Sequence, residues 1–386
     1  MAADANIDLI ERARSLVPLL RAHARASEQA RRPADEVIEA LREARIFDLM
    51  VPRAYGGLEL DLDTFLEVGL ALAAGDASAA WVSTFYIEHN WMLCQFPESF
   101  QKELYRERSH VLAPASIAPR GFAERVDGGF RLNGRWQWAT GICHAEWALL
   151  SARVDTSGGD PDLLFLAVPR NDFELVDTWL VDGLCGTGSH DIEVSNVLVP
   201  EERTVSVADM ANGRARGARL HAGPLYRTPM LPILGLAASM PAVGLARATL
   251  RELQEEIPAR ESYLGGPRRV DRASIQIRLA RALIEIGQAE WLLREIVREV
   301  SEVRDQASPS QRVRWLAAAA MAVAQSREVL FSLSEAGGAT AHFLDHPLQR
   351  AVRDVNVMAS HTVFDLDQRL ENYGRTLLGL PPLPPF

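Results

Sequence analysis

The chain has 386 residues, 48% of them apolar and 24% charged. This length fits two or three folding units, and the composition excludes disorder, collagen and coiled coil as the main description. The net charge, 41 − 51 = −10, repels phosphate backbones and disfavours nucleic acid, though a local patch can still hold an anionic cofactor. Three cysteines, Cys94, Cys143 and Cys185, supply neither a disulfide framework nor the spacing of a zinc site. The first residues carry acids and no continuous apolar segment, so no secretory signal is expected. The run most like a membrane span, Thr228 to Leu245, is interrupted by Pro229, Pro232 and Pro241. The expectation is a cytoplasmic protein with no membrane, metal or nucleic-acid partner.

Residues 1–110 read as a helical domain. Ile7, Ile10, Ala13, Leu16 and Leu20 recur at helical spacing. Pro33 starts a second helix with Val37, Ile38, Leu41, Ala44 and Ile46 on its apolar stripe. Tyr55-Gly56-Gly57 is a turn. Asp63 or Thr64 opens a helix to Leu72, and another runs from about Ala77 to Leu93. Residues 111–225 change character. Alternating runs cover Phe130–Trp138, Trp147–Val154, Leu163–Val168, Phe173–Trp179 and Ile192–Val199. Asp127-Gly128-Gly129, Ser157-Gly158-Gly159 and Gly186-Thr187-Gly188 separate them, a pattern of a sandwich or barrel. Residues 226–386 return to helix over Leu231–Glu256, Asp271–Val303 and Ser308–Ser334. A last helix, capped by Asp345 or His346, is expected from Pro347 to about Leu378.

Four stretches then carry a resemblance. They are Met50-Val51-Pro52-Arg53-Ala54-Tyr55-Gly56-Gly57, Gly134-Arg135-Trp136-Gln137-Trp138-Ala139-Thr140-Gly141, and Gly186-Thr187-Gly188-Ser189 with Val197-Leu198-Val199-Pro200. The fourth is Ala336-Gly337-Gly338-Ala339 with Pro347-Leu348-Gln349-Arg350 and Arg353-Asp354-Val355. In this order and spacing they resemble the acyl-CoA dehydrogenase fold over nearly the whole chain. The implied class is α+β: an N-terminal helical domain, a central β-barrel and a C-terminal four-helix bundle, assembled as a homotetramer. Glu88-His89-Asn90-Trp91, the Gly-Thr-Gly-Ser loop and His361 make the chain similar to two-component flavin-dependent monooxygenases. These include the oxygenase component of 4-hydroxyphenylacetate 3-hydroxylase and related steroid and polyketide hydroxylases. The resemblance implies reduced FMN or FAD from a separate reductase, O2, a C4a-hydroperoxyflavin, and hydroxylation of an aromatic or polycyclic small molecule.

An acyl-CoA dehydrogenase needs a carboxylate base. One family position falls nine residues after Arg353, at Thr362; the other falls within Thr228–Pro241, and no Asp or Glu occurs from Ala222 to Arg251. Both are empty of carboxylates. The resemblance makes His361 a base or orienting group beside substrate and flavin, with Asp365 four residues on to orient it. Asp354 would share that face. His89 becomes a donor to substrate or peroxide, and Trp91 a substrate contact. Without the resemblance, His361 and Asp365 read as a surface pair and His89 as a core histidine.

Trp138, Thr140 and Gly141 become flavin contacts, Thr140 keeping a hydroxyl where relatives often have two serines and this chain has Ala139 first. Ser189 becomes a polar contact in its loop. Gly337 and Gly338 would let backbone approach the flavin phosphates. Gln276 would reach the adenosine side, with Arg260, Arg268 and Arg269 near the phosphates. Three other readings remain: an acyl-CoA dehydrogenase-like FAD oxidoreductase, an N-hydroxylating relative acting on an amino sugar, and a DNA-binding relative, which the net charge disfavours.

Overall fold

The computed structural model describes residues 2–155, 162–259 and 268–383. The Ser157-Gly158-Gly159 turn and Arg260 lie outside the described residues. Five helices come first: α1 (Ala2–Ala30), α2 (Asp35–Glu43), α3 (Leu62–Leu72), α4 (Ala77–Leu93) and α5 (Glu98–Leu104). Side-chain caps set two of the starts. Asp61 accepts from the Leu62 N–H of α3, and Asp76 accepts from the Ala79 N–H of α4 at 2.8 Å. Of the 17 residues of α4, only Phe85 is not buried. Its apolar residues therefore pack on all sides, and its polar ones must be satisfied inside the protein.

Seven strands follow: β1 (Ala115–Val126), β2 (Gly129–Trp136), β3 (Trp147–Val154), β4 (Asp162–Pro169), β5 (Glu174–Val176), β6 (Asp191–Pro200) and β7 (Thr204–Ser206). They form one sheet in the order β5-β6-β2-β1-β3-β4-β7. β1 and β3 run parallel; the other pairs are antiparallel. The expected barrel is thus an open sheet, whose ends β5 and β7 do not pair among the described residues. β1 was not visible as an alternating run, because Pro119 and Gly121 interrupt it and its ladder to β3 shifts register between Ser116 and Gly121. Trp136 is fully buried on β2 and donates its indole N–H to Ser151 O at 2.7 Å. Two residues on, Trp138 is 56% exposed with φ +63°, so the strand alternation ends in a left-handed turn.

The C-terminal half adds the short α6 (Val207–Ala211) and then α7 (Met230–Ala259), α8 (Ala273–Val303), α9 (Pro309–Gly337), α10 (Pro347–Ala359) and α11 (Leu366–Leu377). Ser308 and Gln311 form a reciprocal capping box at the start of α9. α7, α8 and α9 pack on one another, and α10 and α11 both pack on α9. Among the described residues, 226–386 therefore supply five helices of twelve residues or more rather than four. The expected single helix from Pro347 to Leu378 is broken at residues 360–365. His361 accepts from Val363 N–H at 3.2 Å, and Asp365 accepts from Gln368 N–H at 3.1 Å. Arg369 donates to Val363 O at 2.8 Å and to Thr362 O at 3.2 Å. These local bonds outcompete the helical ladder and give α11 its own cap.

Candidate active site

One face of α4 carries Trp81, Phe85 and His89, four residues apart and so stacked along the helix. Trp81 and Phe85 stack with ring centroids 4.8 Å apart, and Phe85 meets His89 edge-on at 5.7 Å. From the break between α10 and α11, His361 reaches both rings, 5.7 Å from Trp81 and 6.5 Å from Phe85. The two candidate histidines thus flank one aromatic pair although 272 positions separate them (361 − 89). Phe364 closes the cluster, 6.2 Å from His361.

Hydrogen bonds assign different tautomers to the histidines. The Nδ1 of His89 lies 2.7 Å from Ala113 O, which can only accept, so Nδ1 carries the proton and Nε2 offers a lone pair. The Nδ1 of His361 accepts from Val363 N–H, so the neutral ring carries its proton on Nε2. Burial pushes both imidazoles down to about 4, helped at His361 by the nearby Arg369 cation. Near neutral pH one ring accepts and the other donates. Of the two roles expected for His361, base or orienting group, this tautomer leaves the second, because the Nδ1 lone pair is used by the backbone.

Beside the rings runs a line of hydroxyls. Trp81 Nε1 donates to Thr140 Oγ1 at 3.4 Å, Thr140 and Ser189 hydroxyls meet at 3.1 Å, and Ser189 and Thr187 at 2.7 Å. Thr187 donates to Leu184 O at 2.9 Å. A carbonyl at one end and an indole N–H at the other fix the direction, so Thr140 donates to Ser189 and Ser189 to Thr187. Thr140 and Ser189 therefore face any ligand as acceptors. The two loops are also tied through backbone: Ala139 N–H to His190 O and Gly141 N–H to Thr187 O, both 3.0 Å. Gly141 has φ +78°, and a Cβ there would lie 2.5 Å from the Tyr86 hydroxyl, which donates to Gly141 O. The far loop is anchored by Asp354, which accepts from Leu184 N–H at 2.7 Å.

His361, His89, Thr140 and Ser189 are thus brought together, with Trp138 and Gly141 in the same loop as Thr140. Other expected residues lie elsewhere. Trp91 is fully buried and donates to Leu225 O at 3.1 Å, which makes it a core residue. Asp365 is exposed and caps α11; it does not share a helical face with His361, because the helix is broken between Ser360 and Asp365. Asp354 faces Leu184 and not the imidazole. Gln276 is exposed and donates to Val270 O at 3.0 Å. Gly337 is a packing glycine, since a Cβ there would lie 2.6 Å from the Ala341 and Leu348 side chains. Gly338 lies against the Arg269 guanidinium, which donates to Ala336 O and Gly337 O. Arg268 pairs with Asp271.

The aromatic partners Trp81 and Phe85 were missed. The Trp-x3-Phe-x3-His spacing was their signal, hidden within a helix that reads as apolar throughout. Glu88, one residue before His89, is the other missed group. It is 1% exposed, and neither carboxyl oxygen has a hydrogen-bond partner among the described residues. Burial holds its carboxyl well above the usual carboxylate range.

Known proteins resemble this chain over nearly its whole length. Residues 236–366 match the family model described as acyl-CoA dehydrogenase, C-terminal domain. A pigment production hydroxylase of Rhodococcus sp. is 33% identical over 97% of each chain. The oxygenase component of an FADH2-dependent resorcinol hydroxylase from Rhizobium sp. is 32% identical over 98% of this chain and 95% of that one. The structure of XiaF from Streptomyces sp., in complex with FADH2 and glycerol, superposes with a TM-score of 0.91 at 28% identity, over 100% of this chain and 98% of that one. The chain belongs to the family of flavin-dependent hydroxylase oxygenase components built on the acyl-CoA dehydrogenase fold.

Proposed function

We propose that this protein hydroxylates an aromatic or polycyclic small molecule, using O2 and reduced FMN or FAD delivered by a separate reductase. The observation that carries this reading is the pair of neutral histidines, one acceptor and one donor, on either side of the Trp81–Phe85 stack. The residues fit a reduced flavin. Trp138 offers an exposed indole face, and Thr140 and Ser189 offer lone pairs to the N–H groups on the flavin's polar edge. Reduced flavin, when bound, supplies the electrons that activate O2. The chain's own groups do the rest. Trp81 and Phe85 exclude water and give an apolar face to a flat substrate. His89 Nε2 accepts a hydrogen bond from a phenolic hydroxyl, shifting electron density onto its oxygen and ring, and His361 Nε2–H donates to the oxygen being transferred.

The same reading carries an assembly and a location. Ile277, Ile284 and Trp291 recur every seven residues on α8 and are all exposed. This stripe supports a homotetramer buried through α8; the proposed location is the cytoplasm, with the three parts of the chain acting as one flavin-binding unit. The decisive experiment mixes the protein–reduced flavin complex rapidly with O2 in the presence of a phenol panel. A transient absorbance before oxidised flavin returns, with hydroxylated product, is expected. No transient and no product with either FMN or FAD would sink the reading. So would tightly bound FAD that is reduced by an acyl-CoA.

A further inference from the structure

Glu88 is a buried acid beside the aromatic cluster, and the roles above do not use it. It lies seven residues after Trp81 and three after Phe85, so all three share a face of α4. Its Oε1 is 4.0 Å from His89 Nε2, the ring nitrogen left with a free lone pair. Neither atom bonds the other, and neither Glu88 oxygen has a partner among the described residues. The neighbouring polar side chain behaves differently. Asn90, equally buried, donates to Tyr86 O and Val111 O and accepts from Val111 N–H. Beside a neighbour so fully bonded, an unpartnered buried carboxyl facing a ring nitrogen with a free lone pair calls for a ligand between them.

We propose that Glu88 and His89 Nε2 together bind one hydroxyl oxygen of a phenolic substrate, and that Glu88 is the residue that selects for it. This rests on the aromatic-hydroxylation reading and names the substrate class within it. An oxygen about 2.8 Å from both atoms closes a triangle on their separation, with an angle near 90° at the oxygen. The phenol hydroxyl donates to His89 Nε2. A neutral Glu88 carboxyl, favoured in so dry a place, donates back to the phenol oxygen. A hydroxyl that both donates and accepts satisfies the two groups at once, whereas a methyl ether leaves one unpaired. Sites of this kind reject the analogue strongly.

The test is calorimetric binding of phenol and of anisole to the full-length protein, for wild type, Glu88→Gln and Glu88→Met. Wild type is expected to prefer phenol. Glu88→Gln keeps a donor and an acceptor and should hold that preference within about threefold. Glu88→Met should lower the phenol-over-anisole preference at least about tenfold while raising Tm, because a buried unsatisfied group is removed. Unchanged preference in a folded Glu88→Met overturns the proposal, as do equal losses in the Gln and Met variants. Should Glu88→Met not fold, infrared spectroscopy at pH 8 decides. The protonated-carboxyl band absent from Glu88→Gln should shift when phenol is added to wild type, and a band unmoved by phenol overturns the proposal. If no phenol is hydroxylated yet the preference behaves as stated, the hydroxylase reading fails and the receptor stands.

Discussion

Two regions make the site, and they are held in opposite ways. On one side α4 is buried along nearly its whole length, so His89 and Trp81 are positioned by core packing, with Phe85 partly exposed between them. On the other, His361 sits in a break between two helices, fixed by its own bond to Val363 N–H and by Arg369 on the carbonyls of the turn. The first arrangement costs the site nothing beyond the core's own stability. The second rests on a handful of local bonds. The difference teaches that the acceptor side of the chemistry is built into the scaffold and the donor side is added at a seam.

The largest expected effects test that contrast directly. On the proposed role, His89→Ala should lower the hydroxylation rate about 10²-fold, through loss of the acceptor that orients the substrate hydroxyl. It should also destabilise the fold by about 1–3 kcal/mol, since Ala113 O is left buried without a donor. His361→Ala should cost about 10–10²-fold in rate with little change in urea midpoint, and His361→Gln should recover part of the loss through its amide N–H. Steady-state product yields and urea titrations measure both. A larger stability loss at His361 than at His89 would break the comparison.

A smaller effect is expected where the two regions meet. Thr140 links Trp81 on α4 to Ser189 in the 184–190 loop. Thr140→Val keeps the shape and removes the relay. Product per flavin oxidised should fall about tenfold, with a stability loss of about 1 kcal/mol. Full coupling in this variant would show that the hydroxyl line is structural only.

The helices and most strands were legible because their apolar periods are long. α4 was placed at Ala77–Leu93 and β3 at Trp147–Val154, as found. The break in the last helix was not, although Asp365 with Gln368 three residues on has the form of a cap. A strong apolar stripe on both sides, from Val355 to Phe364 and beyond, hid it. The same error moved Asp365 from a partner of His361 to an exposed cap. His89, His361, Thr140 and Ser189 were identified through resemblance, and no local pattern gives their convergence. Trp91 reads like a site residue because it adjoins His89, yet helical geometry turns it towards Leu225.

The smallest expected effect concerns the support beneath the hydroxyl line. Asp354 on α10 is buried, and burial raises its carboxyl to about 7, with the nearby Asp76 adding to the rise. A carboxyl with a raised folded value favours folding only in its protonated form. Its contribution is complete below the unfolded value of about 3.8 and is lost as pH rises through about 7. Asp354→Asn retains an oxygen to accept from Leu184 N–H and never ionises. The variant should therefore exceed wild type by about 1 kcal/mol at pH 8, keep less than about half of that margin at pH 5 and converge with wild type only below about pH 4, with hydroxylation unchanged at pH 5 and 8. Urea titrations at the two pH values measure the gap. A gap that widens on acidification would mean that the ionised carboxylate is the stabilising form, held by Arg350 and Arg353 more firmly than burial opposes it. The loop carrying Ser189 would then be pinned by charge, unlike the seam at His361, which backbone hydrogen bonds hold, and unlike α4, which packing holds.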